Sequence, residues 1–241
     1  TTPLWMVALG GIFCTLLGKE IFGGTGFNFM NPALLARAFL FFAFPAFLSG
    51  EIWTDLSPEA GYSIVDGYSG ATNLVAFDYN IDNIQSASAM FWGFEQGSIG
   101  ETSVFCCLLG AAFLIITGVG SWRIILSVFA GGYLMGLVMN LLAPAGDLTH
   151  AMHMPAHYHW LIGSFAFGAV FMATDPVSAS HTKKGKYIYG LLIGMFIVIL
   201  RVFNPAYPEG VFLAILLMNV FSPLIDHLVV EQHIKRRLKH A

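Results

Sequence analysis

Seven stretches of this chain are apolar over about the length a helix needs to cross a lipid bilayer, and that pattern constrains the fold more than any single residue does. A hydrocarbon core about 30 Å thick takes roughly 20 helical residues. Runs of that kind lie near residues 2–18, 31–49, 103–119, 122–142, 158–174, 187–203 and 211–230. Backbone polar groups find no water in lipid and must be satisfied internally, which leaves helices or a closed barrel. No run alternates with the period of two that a barrel strand requires. The sequence therefore predicts an all-α, polytopic transmembrane helix bundle of about seven helices, one transmembrane domain over residues 1–241. Composition points the same way: 56% of the 241 residues are apolar, 10% are charged, and the mean hydropathy is +0.72. A soluble domain is about one quarter charged. No basic, aromatic-interleaved patch suggests nucleic acid.

Lysine and arginine set the sidedness. Lys183, Lys184 and Lys186 follow the fifth run, and Lys235, Arg236, Arg237 and Lys239 follow the seventh. Two crossings separate these clusters, so they share a side. Counting back in pairs puts Arg123, Lys19 and Arg37 on that side as well and leaves Arg201 near the opposite face. By the positive-inside rule the basic side is cytoplasmic, and the C-terminus lies there. Residues 50–102 then form a long outer loop, with Glu51, Asp55, Glu59, Asp66, Asp78, Asp82, Glu95 and Glu101 and no base. Residue 1 falls outside by the same count. The chain begins without methionine, a basic flank or a cleavage pattern, so an N-terminal part is expected to be missing. Three further helices would make ten, a number compatible with a five-plus-five repeat. Asn31-Pro32-Ala33 and Asn204-Pro205-Ala206 are a faint internal echo of one.

Several local patterns bear on chemistry. Phe22 to Ala33 reads F-G-G-T-G-F-N-F-M-N-P-A, a glycine-rich connection that either turns tightly into the next helix or brings backbone N–H groups up to a ligand. Lys19 precedes its glycines, so it is no Walker loop. The outer loop mixes aromatics (Trp53, Tyr62, Tyr68, Phe77, Tyr79, Phe91, Trp92, Phe94) with its acids; these anchor at the interface or stack on a planar cofactor. His150, His153, His157 and His159 have spacings that could form a metal face on a helix. Pro155 interrupts them and no cysteine joins in, so they are read as a surface or subunit-contact loop and no metal is assigned. Cys14, Cys106 and Cys107 sit inside apolar runs as small core hydrophobes. Arg37, Asp175, Arg201 and Asp226 lie in or at the ends of apolar runs, where charge is costly and usually paired or functional. Asp175 in T-D-P and Asp226 in P-L-I-D-H fall at cytoplasmic ends. They are either helix-end acids reaching the interface or carboxylates that attract a hard cation.

Asp66 to Thr72 reads D-G-Y-S-G-A-T. Small neighbours leave the Thr72 hydroxyl accessible to a modifying enzyme, although an ordinary surface turn would look the same. Taken together with G-G-T-G-F-N-F-M-N-P-A and R-A-F-L-F-F-A-F-P-A (Gly23 to Ala46), M-A-T-D-P-V-S-A (Met172 to Ala179) and S-P-L-I-D (Ser222 to Asp226), this motif resembles the B-subunit family of the sodium-translocating NADH:quinone oxidoreductases. The resemblance covers essentially the whole chain. It implies FMN esterified through its phosphate to Thr72 by a dedicated flavin transferase, with Asp66, Ser69, Gly70 and Ala71 as the recognition sequence. It also implies a six-subunit respiratory pump of the bacterial inner membrane, in which electrons pass from NADH to ubiquinone and sodium moves outward. In that setting the outer loop is periplasmic, and Asp175 and Asp226 correspond to the suspected sodium-uptake acids. Riboflavin and ubiquinone belong to the full subunit; the residues associated with quinone lie in the N-terminal part, so none is assigned. The related D subunit of the Rnf complex shares the flavin motif, but the arginine-containing R-A-F-L-F-F run and the acidic loop favour the first family. A redox-inactive channel or secondary transporter would tolerate the glycine breaks and membrane acids, yet gives no reason for S-G-A-T.

Overall fold

The computed structural model describes residues 3–48, 52–54, 67–69, 85–95, 97, 100–144, 151–204 and 209–239. Six helices carry the architecture: α1 (Leu4–Leu16), α2 (Pro32–Ala43), α3 (Val104–Ile116), α4 (Trp122–Leu142), α5 (Lys183–Phe203) and α6 (Val211–Leu238). The all-α expectation holds for this bundle. Within the 50–102 loop, Ile52–Thr54 and Gly67–Ser69 pair as a small antiparallel ribbon with Trp53 opposite Tyr68, and Ala87–Trp92 forms a short helix. Four stretches are long and apolar enough to span a bilayer: Leu4–Phe22, Trp122–Leu142, Lys183–Phe203 and Val211–Leu238. This makes the chain a multi-pass membrane protein. At 1.5 Å per residue, α4 and α5 are each about 31 Å long and α6 about 42 Å, whereas α2 and α3 reach only about 20 Å.

Local chemistry sets the ends of the helices. Asn31 caps α2 by accepting from Ala33 N (3.0 Å) and Leu34 N (3.3 Å), with Pro32 in the first turn. The apolar pattern predicts a second run that continues to residue 49, but α2 stops at Ala43. Pro45 has no N–H to donate and pushes Phe44 out of the helical region, to φ −137° and ψ 58°. Thr182 caps α5 through Gly185 N (3.0 Å), so this helix starts at Lys183 instead of 187 and takes the three lysines into its first turns. α6 continues past residue 230, and Lys235 to Arg237 are helical, with Lys235 paired to Glu231 at 2.6 Å.

The core is built on α4, α5 and α6. An added Cβ at Gly194 of α5 would collide with the Val128 carbonyl oxygen of α4, so the two backbones touch where only glycine fits. Ile124, Val128, Ile193, Ile197, Ile215 and Met218 fill the buried cluster around this seam. Tyr189 OH donates to Asn219 Oδ1 at 2.6 Å and ties α5 to α6. α1 packs on α2 through the stacked Phe13 and Phe39 rings, 3.9 Å apart.

Three expectations need correction. The fifth run, 158–174, is not a continuous helix. Tyr158–Leu161 makes one turn, Ile162 is extended (ψ 135°) and Gly163 is left-handed (φ +64°), a conformation that favours glycine. The chain then resumes as Phe165–Phe167 and a π-helix, Gly168–Met172. Side chains from α4 and α5 compete successfully for the carbonyls that a continuous helix would use. Arg201 takes those of His159 and Ile162, and Asn140, with its amide turned so that the nitrogen faces them, reaches those of Met152 and Met154 just ahead of the run. Irregular backbone inside a membrane bundle survives only where protein satisfies it in this way. Arg37, assigned by charge counting to the side of the lysines, instead pairs with Glu209 at 2.9 Å and lies over the Phe212 ring. These partners sit at the start of α6, the opposite end from Lys235, and the long guanidinium side chain reaches that way from the middle of α2. Of the three cysteines only Cys107 is buried; Cys14 is half-buried and Cys106 is exposed on the outward face of α3.

Candidate functional site

A cavity of about 390 Å³ opens at the basic end of the bundle, where three elements converge. The glycine-rich connection brings Asn28 and Phe29, the loop before α5 brings Val177 to Ala179 and His181, and α6 brings Asn219, Ser222, Pro223 and Asp226. Gly23, Gly24 and Gly26 all take positive φ in that connection, and the Asn31 amide links its end to the carbonyl of Met172 at 3.5 Å, joining the start of α2 to the end of the π-helix.

The sequence places Asp226 at the cytoplasmic end of its helix. In the fold it lies well inside α6, twelve residues before Leu238, because the helix runs on through the basic cluster. Its carboxylate gathers the loop that precedes α5: Oδ1 accepts from Ser180 Oγ (2.6 Å), Thr182 Oγ1 (2.6 Å) and Thr182 N (3.0 Å), and Oδ2 accepts from His181 N (2.7 Å). A negative charge is thus held against the start of α5, where the helix dipole favours it. Asp175 makes a local turn, accepting from Ser178 Oγ at 2.5 Å and Val177 N at 3.4 Å. It shares the 175–182 loop with the partners of Asp226 but is not among the residues lining the cavity.

Asn219 is a residue of the site that sequence reasoning misses. It is buried, its Oδ1 is taken by Tyr189, and its Nδ2 has no partner among the described residues. Pro223, four residues on, has no N–H to return to the Asn219 carbonyl. The cavity is lined by the Ser222 hydroxyl-bearing side chain and the Asp226 carboxylate, with the unpartnered Asn219 amide nitrogen buried behind them. A carboxylate and a hydroxyl oxygen are ligands of the kind that a hard cation takes. The legible signal is an asparagine four residues ahead of a proline within an apolar run.

The remaining sequence candidates are dispersed. Asp66, Gly70, Ala71 and Thr72 lie outside the described residues; Ser69 ends the second strand of the ribbon, opposite Ile52. His150 is also outside them, His153 Nε2 lies 3.0 Å from the Pro144 carbonyl oxygen, His157 packs on Tyr158, and His159 is buried. No group of three metal-ligating side chains occurs among the described residues.

Continuous helices around a discontinuous segment, with a cavity that bears the Asp226 carboxylate where that segment leaves the bundle, define a polytopic helical membrane protein. The chain belongs to the NQR2, RnfD, RnfE family, whose model matches residues 1–235. It is 50% identical over 242 residues to the B subunit of the Na(+)-translocating NADH-quinone reductase of Azotobacter vinelandii, covering 98% of this chain and 57% of that protein. The corresponding protein of Chromohalobacter salexigens is 51% identical over 245 residues (99% and 57%), and that of Pseudomonas aeruginosa 50% over 244 (99% and 58%). The chain thus spans somewhat more than half the length of these relatives.

Proposed function

We propose that this chain is the larger part of a membrane subunit of a sodium-pumping NADH:ubiquinone oxidoreductase, an enzyme complex in which it carries FMN on Thr72 and helps couple electron transfer to sodium export. The observation that carries this reading is the identity of about 50% with B subunits of Na(+)-translocating NADH-quinone reductases over nearly every residue of the chain. S-G-A-T gives Thr72 a hydroxyl flanked by small residues, with Asp66, Ser69, Gly70 and Ala71 around it for a flavin transferase to recognise. When bound, the flavin supplies the redox chemistry; the protein's part is to hold and orient it. Riboflavin and ubiquinone are proposed for the full subunit without residues.

Sodium enters, on this reading, from the cytoplasmic side, which is the end carrying Lys183 to Lys186 and Lys235 to Arg237. Asp226, with Asp175 on the adjoining loop, attracts the ion into the cavity described above. The bacterial inner membrane, a periplasmic loop over residues 50–102 and contacts with the other subunits of a six-subunit complex follow from the same proposal. The family also includes RnfD proteins, so an Rnf-type subunit is the second reading; it differs in electron partners and shares the fold.

The deciding experiment is flavin fluorescence of the denatured, gel-separated protein under ultraviolet light. The wild-type band fluoresces, and Thr72→Ala abolishes the signal while the protein still inserts. Fluorescence unchanged in that variant would overturn the attachment.

A further inference from the structure

Arg201 is 4% exposed in the interior of a membrane bundle and makes no ion pair among the described residues. Its two terminal nitrogens donate to the main-chain carbonyls of His159 (2.8 Å, from Nη1) and Ile162 (2.7 Å, from Nη2), the residues that flank the break in the fifth run. The Phe165 ring lies 5.7 Å from the guanidinium carbon on the far side of the break. Arg201 Nε is buried without a partner among the described residues, and so is Nδ1 of the adjacent His159. Burial strips this charge of water, and the Glu209 and Glu101 carboxylates offset that loss only from a distance. The charge persists here because the extended Ile162 and left-handed Gly163 turn two carbonyl oxygens onto one point. Carbonyls that converge at a helix break are what discontinuous membrane helices use to hold free cations. The planar fork of an arginine satisfies both oxygens at once, which a single ammonium does less well.

We propose that the Arg201 guanidinium is a tethered cation that occupies a main-chain carbonyl site at this break, positioning the discontinuous segment and closing it to free cations. The fixed positive charge repels a second cation at close range in a medium of low dielectric. A mobile ion entering from the Asp226 cavity must therefore pass elsewhere in the bundle. Arg201 acts on the crossing through the carbonyls of His159 and Ile162 and takes no part in redox chemistry.

The test uses the full-length protein in its native membrane assembly, reconstituted into liposomes, and measures passive entry of radioactive sodium with no NADH present. Arg201→Ala admits sodium at least about tenfold faster than wild type, equivalent to lowering a barrier by ~1.4 kcal/mol. Methylguanidinium in the medium, filling the vacated site, returns the rate toward wild type. An assembled Arg201→Ala protein that leaks no faster overturns the proposal, as does a leak that methylguanidinium leaves untouched, since general loosening would not respond to it. Should the alanine variant fail to assemble, Arg201→Lys serves: it leaks measurably faster than wild type, and a rate equal to wild type overturns the proposal. The relevance of the closed break to pumping rests on the sodium-pump reading, but the leak does not. Wild-type protein without sodium-stimulated NADH oxidation would remove that reading and leave the leak result standing.

Discussion

α4 and α5 on one side, and the chain from residue 151 to 182 on the other, run through the same bundle by opposite means. The two helices, 21 residues each, satisfy their own backbone and meet along a glycine seam. The 151–182 stretch leaves much of its backbone to other elements: Asn140 for Met152 and Met154, Arg201 for His159 and Ile162, Asp226 for the N–H groups of His181 and Thr182. Trp160 reaches the other way and donates to the Phe129 carbonyl of α4 at 2.9 Å. One region is a frame whose precision comes from packing. The other is an apolar but discontinuous insert held by side chains, and the cavity with Asp226 in its wall lies at its end. Where backbone satisfaction is delegated, main-chain oxygens and amides face side chains of other elements instead of their own helix.

The sharpest way to break this comparison is to spoil the seam. Gly194→Val places two methyl groups and a Cβ against the Val128 carbonyl, and overpacking of that kind costs about 1–3 kcal/mol or more. Loss of folded protein is expected, read as the monodisperse yield after solubilisation; normal yield would mean that α4 and α5 are not the frame. A middle-sized effect is expected at the other region. Asp226→Ala removes the acceptor of the His181 and Thr182 donors, groups that water can reach in part, so the stability cost is about 1 kcal/mol; on the proposed function it also removes the charge that attracts sodium. The sodium concentration for half-maximal quinone reduction should rise about tenfold, ~1.4 kcal/mol of lost attraction, while Asp226→Asn keeps an acceptor and separates capping from charge. Unaltered sodium dependence in both variants would remove Asp226 from the uptake role. The smallest effect belongs to Ser127→Ala on the seam. Ser127 is buried, but its Oγ donates to Arg123 O (2.7 Å) and Ile124 O (3.0 Å), carbonyls of its own helix, so its loss should cost no more than about 1 kcal/mol, measured by thermal melting in detergent. A larger loss would show that its longer contact to Lys186 O, 3.4 Å, holds the seam, and packing would no longer suffice as the account.

Much of the frame is legible without coordinates. The run at 122–142 matches α4 at both ends, while α5 starts before 187 and α6 ends beyond 230, because hydropathy locates apolar helices while capping residues such as Thr182 locate their starts. The run at 158–174 has the same apolar character and carries no comparable sign of its break. Gly163 alone is a weak signal; the break requires Arg201, 38 positions later, to be folded against it. Arg37 shows the same limit, since counting crossings assigns a charge to a side but does not know which carboxylate it will reach. Asp226 is legible as a membrane acid worth singling out. Its partners, Ser180 to Thr182, are not, because 44 to 46 residues separate them.

Residues close together along the chain are enough to establish the class of protein, the motifs D-G-Y-S-G-A-T and S-P-L-I-D, and the apolar elements that carry them. Packing of distant elements was needed to make the fifth run discontinuous, to bring Arg201 to its break, and to put Asn28, Asn219 and Asp226 around one cavity. The physical reason is the same in each case. A backbone carbonyl in a membrane must be satisfied, and when the satisfying group comes from a distant helix the choice is made only when the helices pack.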